Sequence, residues 1–299
     1  MSTDDRYADD SAETWASASD ATLPEVDQAP EHRPRAPLDG RFDAERKLGE
    51  GGMGEVWAMH DRWLDCSVAV KTIRANIASV SALTRFQREV RVLARLEHPG
   101  VVPLYEASRP GRTAPWYSMR RVVGETLTQH MDRVLAPASE DTPQALRRRV
   151  DIVVRVCEAL AHAHSRGVVH RDVKADNVMI GPFGEVQLMD WGLAKVVGES
   201  EPALIESGER SLTRLGQVLG TLRWASPEQL EGRVGEHGPA TDVWAVGKLL
   251  NLVCTGNPEG TGHPIPAPLA SVVARCLQPA PADRPASPAD VAAVLQDWR

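Results

Sequence analysis

The chain has 299 residues, of which 42% are hydrophobic and 25% are charged, and its formal net charge is −7. This length can hold one large domain or two smaller ones, and the hydrophobic content is enough for a sizeable core. Residues 1–40 contain ten acidic residues and three arginines, so the rest of the chain is electrically neutral. A neutral body lacks the basic surface that nucleic-acid binding requires, and we expect no nucleic-acid partner.

The sequence also predicts where the protein works. No segment near its start joins a positively charged stretch to an apolar one, so no signal peptide is expected. The longest apolar stretch, residues 243–254, contains Lys248 and Asn251 and is too short to cross a bilayer. The four cysteines lie apart, without a C-x-x-C pair, as is typical of free thiols. We therefore expect a cytoplasmic protein, and the small share of lysine among its basic residues indicates a bacterial source.

Residues 1–40 are acidic, rich in Ser, Ala and Pro and without periodicity, which predicts a disordered acidic tail. The folded part is predicted to begin near Arg41. Its first segment reads mainly as strands, with one helix over residues 81–96, where apolar residues recur at three- and four-residue steps. The strands are predicted over residues 55–59, 67–73, 101–107 and 116–123.

From about Gly124 the pattern becomes mainly helical. A long amphipathic helix over residues 146–166 is predicted to end at Gly167, since glycine favours helix termination. Short strands are predicted over residues 168–170, 178–180 and 185–189. Further helices are predicted over residues 227–230, 240–254, 269–277 and 288–298. Residues 199–217 form a long polar segment, which suggests a functional loop.

A glycine-rich segment precedes the first predicted strand. It comprises Gly49, Glu50, Gly51, Gly52, Met53 and Gly54. The G-x-G-x-x-G spacing alone is a weak signal, and a dinucleotide-binding version would open a helix. Here Val56 and Trp57 follow, so the segment opens a strand. A hairpin lying over phosphates is the better interpretation, because glycines let backbone N–H groups approach an anion closely.

Lys71 lies inside an apolar strand, where its charge is costly unless a partner compensates it. Alternation puts Lys71 and Ala69 on one face, and the small Ala69 leaves room for a flat adenine with Val56 above it. An edge-strand lysine that reaches solvent is the alternative. Glu89, on or beside the apolar face of the following helix, is the predicted partner of Lys71, although glutamates are common at such boundaries.

The most informative motif spans residues 170–177, which read His-Arg-Asp-Val-Lys-Ala-Asp-Asn, and Asp-Trp-Gly follows from Asp190. The order sets Asp172, Lys174, Asn177 and Asp190 at the spacing that phosphoryl transfer needs. In that reaction the protein supplies position and charge rather than covalent chemistry. A polar loop followed by a hairpin is the alternative, and the two ordered motifs upstream argue against it.

Taken together, residues 41–299 resemble a bacterial, eukaryotic-like (Hanks-type) serine/threonine protein kinase. The resemblance rests on the motifs above and on Ser226-Pro227-Glu228, Asp242-Val243-Trp244-Ala245-Val246-Gly247 and Arg284. It implies an α+β, two-lobed protein kinase fold. The small antiparallel β N-lobe, residues 41–123, would hold one main helix, and the larger C-lobe, residues 124–299, would be mainly helical.

The resemblance also implies catalytic roles. Lys71 would pair with Glu89 and grip the α- and β-phosphates of ATP. Asp172 would accept or orient the proton of the substrate hydroxyl, and Lys174 would neutralise charge on the transferring phosphoryl group. Ligands of Mg²⁺, with Mn²⁺ as the alternative ion, would be Asn177 and Asp190. Residues that bind ATP would be Leu48, Gly49, Glu50, Gly51, Gly52, Met53, Gly54, Val56, Ala69, Lys71 and Met119, the last at the back of the adenine pocket.

Further residues are implied to support and regulate the site. Asp242 would brace the catalytic loop from a buried helix, and Glu228 would form a buried ion pair with Arg284. The side chains expected to stack between the lobes are Leu93, Leu104, His170 and Trp191. Arg171, as a buried cation, would pair with a phosphate on the activation segment. The candidate phosphorylation sites are Ser211, Thr213 and Ser207.

One departure from the family pattern concerns residues 255–268. This segment is short and rich in Gly and Pro, so it is predicted to lack the further helix that docks substrates and regulators in the family. The change counts against docking of conventional protein substrates. The other departures, Trp191 in place of Phe and Ser226 in place of Ala, are mild.

The sequence therefore predicts a kinase that transfers the γ-phosphate of Mg·ATP to Ser or Thr hydroxyls of protein substrates and of its own activation segment. Self-association would serve the second reaction. One alternative is a nucleotide-binding pseudokinase that acts as a signalling scaffold, against which the retained Lys71, Asp172, Asn177 and Asp190 argue. A small-molecule kinase of related fold is another, and Gly220-Thr221 with Ser226-Pro227-Glu228 argues against it.

Overall fold

The computed structural model describes residues 40–50, 54–73, 80–109, 115–135, 142–198 and 222–299. Several sequence predictions fall outside these described residues. They are the acidic tail up to residue 39, the polar segment from residue 199, Gly51, Gly52, Met53, Ser207, Ser211, Thr213 and Thr221.

The first part of the described chain is a five-stranded sheet with one helix, α1 (Val80–Leu93). The strands are β1 (Phe42–Glu50), β2 (Gly54–Asp61), β3 (Cys66–Ile73), β4 (Leu104–Ala107) and β5 (Trp116–Arg120). Their order in the sheet is β1-β2-β3-β5-β4, and every neighbouring pair is antiparallel. This is the small antiparallel N-lobe that the sequence predicts.

Side chains alternate across β3 as the sequence predicts. Val68 and Val70 pack with β2 residues in a separate cluster on one side of the sheet. Ala69 instead joins the main core, and alternation puts Lys71 on the same side. This side of the sheet faces α1, so a charged side chain from β3 can meet one from the helix.

Three predictions in this part need correction. The strand predicted over residues 116–123 ends at Arg120. The helix predicted over residues 81–96 ends at Leu93, and the chain then forms a turn. The strand predicted over residues 101–107 begins only at Leu104, because Pro103 has no N–H to donate to a neighbouring strand. Val101 instead forms an isolated parallel bridge with Leu188.

Helices make up most of the second part. They are α2 (Leu127–Val134), α3 (Pro143–Ser165), α4 (Pro227–Leu230), α5 (Pro239–Thr255), α6 (Ala267–Cys276) and α7 (Pro288–Trp298). Two small sheets contain β6 (Glu125–Thr126), β7 (Val168–Val169), β8 (Val178–Ile180), β9 (Val186–Leu188) and β10 (Lys195–Val196). Across the described ranges, no helix combines the length and apolar character needed to span a bilayer.

Helices α3 and α5 form the centre of this helical part. Helix α3 begins earlier than predicted, because the Thr142 side chain accepts a hydrogen bond from the Ala145 N–H and Pro143 suits the first turn. Helix α5 is buried along nearly its whole length. It ends at Gly256, whose φ of 81° is a left-handed conformation that glycine adopts without strain. A helix buried on all sides gives the loops around it a rigid support.

The segment after α5 forms no helix before Ala267, as the sequence predicts. It is held to α5 by polar contacts. Asn251 Nδ2 donates to the carbonyl oxygen of Pro258 at 3.1 Å, and Lys248 Nζ lies 2.8 Å from a carboxylate oxygen of Glu259. The short segment is therefore a compact turn against the helix.

The packing of α5 against α6 depends on Gly247. A Cβ atom at this position would lie 2.8 Å from Cys276 Cβ and 2.9 Å from Leu277 Cδ2. We expect Gly247→Ala to lower the free energy of unfolding by about 1–3 kcal/mol through overpacking, measured by urea denaturation. Gly235→Ala is the matched control, since open space surrounds Gly235. Equal stability of the two variants would contradict the prediction.

Candidate active site

Three charged side chains meet between β3 and α1. Lys71 Nζ donates a hydrogen bond to Glu89 Oε1 at 2.6 Å, and it lies 3.6 Å from Asp190 Oδ1. Glu89 is 1% exposed, so its charge depends on these neighbours. The sequence predicted the pair but not how close Asp190 would come.

The electrostatics of this cluster favour a charged lysine. Burial works against the Lys71 charge, but Glu89 and Asp190 hold its pKa above the usual range. Burial raises the pKa of Glu89 despite the attraction of Lys71. Burial also opposes ionisation of Asp190, yet Lys71, His170 and Lys174 together lower its pKa. The cluster thus keeps a cation facing an ionised aspartate, which suits the binding of a phosphate and a metal ion together.

The segment after β7 brings Asp172, Lys174 and Asn177 together. Lys174 Nζ lies 2.9 Å from Asp172 Oδ2. Asn177 Nδ2 donates to the same oxygen at 3.1 Å and to the backbone oxygen of Asp172 at 2.8 Å. Because the Asn177 nitrogen is used in this way, its side-chain oxygen remains available as a ligand.

Asp242 on α5 holds the backbone of this segment. Its two carboxylate oxygens accept hydrogen bonds from the N–H groups of His170 at 2.9 Å and Arg171 at 2.8 Å. His164 Nε2 lies 2.7 Å from the first of these oxygens. Burial opposes the charge of Asp242, but the hydrogen bond from His164 and the charges nearby lower its pKa. Arg171 has a φ of 67°, so these bonds stabilise a backbone conformation that non-glycine residues rarely adopt.

Trp191 is packed beside the segment of residues 170–177. It is 1% exposed, and its ring lies 4.5 Å from that of His170, edge to face. Its indole Nε1 donates to the carbonyl oxygen of Leu188 at 3.2 Å, so the larger ring buries no unpaired donor. His170 Nε2 lies 3.1 Å from the Met189 carbonyl oxygen. Tryptophan therefore fits where the motif usually has phenylalanine.

The residues predicted to contact adenine lie along the sheet. Met119 pairs with Ala69 across β5 and β3, and both are buried. Leu48 and Val56 are half-buried and pack against the same core. Gly54 must be glycine, since a Cβ atom would overlap the carbonyl oxygen of Thr72. Gly49 and Glu50 end β1, where Glu50 forms an ion pair with Lys47.

Comparison with known proteins identifies this arrangement. The sequence matches the protein kinase domain family over residues 42–268. The chain belongs to this family. Members of the family use ATP with a divalent metal ion.

Named relatives and a solved structure agree with this assignment. PknD of Protochlamydia amoebophila, a serine/threonine-protein kinase, is 35% identical over 226 residues, which cover 70% of this chain and 22% of that protein. PknB of Mycolicibacterium smegmatis is 36% identical over 231 residues, which cover 75% of this chain and 34% of that protein. The chain thus spans about a third or less of the length of these relatives. The Mycobacterium tuberculosis PknI kinase domain superposes with a TM-score of 0.63 at 26% identity, covering 87% of this chain and 97% of that one.

The kinase domain contains the buried ion pair that the resemblance implies. Arg284 donates to both carboxylate oxygens of Glu228 at 2.8 Å, and both side chains are fully buried. Thr241 Oγ1 donates to the Glu228 carboxylate as well, at 3.0 Å. Backbone oxygens of Ala240, Gln278 and Pro279 accept the remaining Arg284 donors. The pair therefore joins α4, α5 and the approach to α7.

Because Glu228 is paired with Arg284, we expect the kinase fold to lose stability in acid. Burial opposes the charge, but the hydrogen bonds from Arg284 prevail and lower the pKa of Glu228 from its ordinary 4.5 to about 2. The stabilisation is therefore complete above pH 4.5 and is lost as the pH falls from there towards 2. We expect the free energy of unfolding to fall over this range, and to fall less steeply in Glu228→Gln. Equal slopes in both proteins would contradict the prediction.

Arg171 needs a correction. The sequence predicted a buried cation, but the kinase structure places Arg171 half-buried, with its Nε donating to the carbonyl oxygen of Leu193 at 2.8 Å. Gln229 Nε2 also donates to the Arg171 carbonyl oxygen, at 2.7 Å. These contacts connect the segment of residues 170–177 to the residues that follow Asp190 and to α4.

Sequence reasoning missed two supporting residues of the kinase site. Tyr117 donates to Glu89 Oε1 at 2.9 Å, and His164 contacts Asp242. Tyr117 is directly opposite Lys71 in the pairing of β5 with β3, so it lies on the same side of the sheet. The alternation of side chains along β5 indicates which side of the sheet Tyr117 faces. Identifying Glu89 as its partner also requires the register between β5 and β3.

Proposed function

We propose that this domain transfers the γ-phosphate of ATP to serine or threonine hydroxyls of protein substrates. One observation carries the proposal. Lys174 and Asn177 converge on the carboxylate of Asp172, while Lys71 lies between Glu89 and Asp190. The serine/threonine-kinase names of the relatives support the choice of hydroxyl.

The acceptor hydroxyl would meet Asp172. Its carboxylate orients the hydroxyl and receives the proton, and Lys174 beside it attracts the negative charge of the phosphoryl group. Lys71, charged and held by Glu89, binds the α- and β-phosphates. ATP is proposed to lie against the residues of the glycine-rich segment and those around Ala69 and Met119.

The available oxygen donors fit a hard divalent cation. The side-chain oxygen of Asn177 and the carboxylate of Asp190 are the ligand types that Mg²⁺ prefers, and Mn²⁺ accepts the same set. When bound, the ion would neutralise charge on the phosphate oxygens. We propose Mg²⁺ as the natural ion because these two oxygen ligands leave room for phosphates and water.

Several finer points belong to the same proposal. The kinase domain would extend over residues 41–299, with an N-lobe to residue 123, and would act in the cytoplasm, where ATP is available. It would associate with a second copy to phosphorylate its own activation segment, at Ser211, Thr213 or Ser207. A phosphate there would pair with Arg171 and order the segment. Peptide mapping that finds no phosphate over residues 193–221 of active protein would contradict this regulation.

The test of the function is phosphate incorporation from labelled ATP into a generic serine/threonine substrate and into the protein itself. We expect incorporation with Mg²⁺ and its loss in Lys71→Met, because the phosphates lose their cation. Phosphoamino-acid analysis of the product should show phosphoserine or phosphothreonine. No incorporation by the wild type, while ATP still raises its melting temperature, would overturn the proposal.

A further inference from the structure

Tyr117 links the strand β5 to the helix α1 at two points. Its ring lies 5.3 Å from the ring of Phe86, measured between centroids. Its hydroxyl donates a hydrogen bond to Glu89 Oε1 at 2.9 Å. Phe86 and Glu89 are three residues apart on α1, so they lie on the same face of the helix. Tyr117 therefore holds this face of α1 against the sheet.

The hydroxyl of Tyr117 is not needed for packing. The residue is 1% exposed, and a phenylalanine would fill the same space against Phe86 without placing a polar group in the core. A buried phenol requires a hydrogen-bond partner, and here that partner is the Glu89 carboxylate. Glu89, rather than the shape of the core, therefore accounts for a tyrosine at this position.

Both donors to Glu89 reach the same oxygen. Lys71 Nζ and the Tyr117 hydroxyl bind Oε1, whereas Oε2 is buried without a hydrogen-bond partner among the described residues. Lys71 is also drawn towards Asp190 and, in the proposed function, towards the phosphates of ATP. Among the described residues the Tyr117 hydroxyl bonds only to Glu89, so it is the donor that compensates this buried charge whether or not Lys71 is drawn elsewhere.

We infer that Tyr117 is a positioning residue that keeps Glu89 within reach of Lys71 and thereby sets the affinity for ATP. The inference rests on the proposed function, in which Lys71 binds the phosphates. Without the hydroxyl, a fraction of the molecules would have Glu89 turned away from Lys71, and the apparent affinity would fall in proportion. Saturating ATP would draw these molecules back to the paired arrangement, so kcat would be retained.

The test is Tyr117→Phe, which keeps the ring and removes only the hydroxyl. We expect the KM for ATP to rise about fivefold or more, with kcat within about twofold of the wild type. A purely structural role would instead reduce the amount of folded enzyme, which lowers kcat and leaves KM unchanged. Either that result or an unchanged KM with unchanged kcat would overturn the inference.

Two further variants make the test specific. Tyr105→Phe is the matched control, because it makes the same chemical change at an exposed position on β4, and we expect no effect. In Glu89→Ala the acceptor of the Tyr117 hydroxyl is gone. Tyr117→Phe should therefore have little additional effect on KM in that background. Full additivity of the two substitutions would show that Tyr117 does not act through Glu89.

The effect on ATP affinity can also be measured without catalysis. Direct titration of each protein with ATP and Mg²⁺ gives the dissociation constant, which should rise in Tyr117→Phe by the same factor as KM. An inactive wild type would overturn the proposed function alone, because the titration still compares the two proteins. An active wild type with equal ATP affinity in both would overturn the role of Tyr117 alone.

Discussion

Replacing Asp172 with asparagine is expected to slow phosphate transfer by about a thousandfold while ATP affinity stays close to that of the wild type. A positioned general base contributes factors of about 10²–10⁴ to such reactions. Asparagine retains the size of Asp172 and one of its oxygens, but it cannot receive the proton of the hydroxyl. Because Asp172 contacts Lys174 and Asn177 rather than Lys71, the binding of the nucleotide phosphates should be preserved.

The same segment offers a matched control. Asp176 is exposed and accepts a hydrogen bond from Thr128 Oγ1 at 2.9 Å, away from the Asp172 carboxylate. Asp176→Asn should therefore transfer phosphate at nearly the wild-type rate. The measurement is kcat with saturating Mg·ATP, together with the dissociation constant for ATP. An Asp172→Asn variant within about tenfold of the wild type would rule out Asp172 as the base.

Replacing Arg284 with alanine is expected to cost about 3–5 kcal/mol of folding free energy, the largest stability effect that the structure predicts. The substitution leaves the Glu228 charge fully buried without its main partner, and breaking one side of a buried pair has a cost of this size. It also leaves the backbone oxygens of Ala240, Gln278 and Pro279 without their donors. The measurement is the free energy of unfolding in urea at pH 7.

A surface arginine provides the comparison. Arg233 pairs with Glu231 and Glu236 at the surface, where solvent screens the charges, so Arg233→Ala should change stability little. The double variant Glu228→Gln, Arg284→Met should recover part of the loss, because it removes both charges together. Similar stability of Arg284→Ala and Arg233→Ala would show that the buried pair does not support the fold.

Local patterns explain why much of the fold could be predicted from the sequence. The alternation around Lys71 fixes which side chains of β3 face the core, and Gly256 marks the end of α5 through a conformation that glycine adopts without strain. The pairing of Lys71 with Glu89 followed from the cost of burying either charge alone. The structure brings these two residues together, and their catalytic roles stay predictions that the variants above test.

What the sequence could not supply depends on contacts between distant segments. The Tyr117 hydroxyl finds Glu89 only because β5 pairs with β3 in the observed register. His164 contacts Asp242 across 78 positions of sequence, and no local periodicity encodes such a contact. The late start of β4 at Leu104 depends on Pro103 and on the bridge from Val101 to Leu188, which draws the chain away from the sheet. In each case the outcome depends on tertiary packing, which local sequence patterns do not encode.

The hydrogen bonds to Asp242 couple the backbone at His170 and Arg171 to the slow opening of the helical core. The amide hydrogens of His170 and Arg171 point at a carboxylate that is 1% exposed and belongs to a helix buried along nearly its whole length. Such amides exchange with solvent only when the surrounding core opens. The backbone beside Asp172 therefore cannot loosen by itself. On heating, the backbone geometry around Asp172 should persist until α5 itself unfolds, so this part of the proposed site is lost together with the helical core.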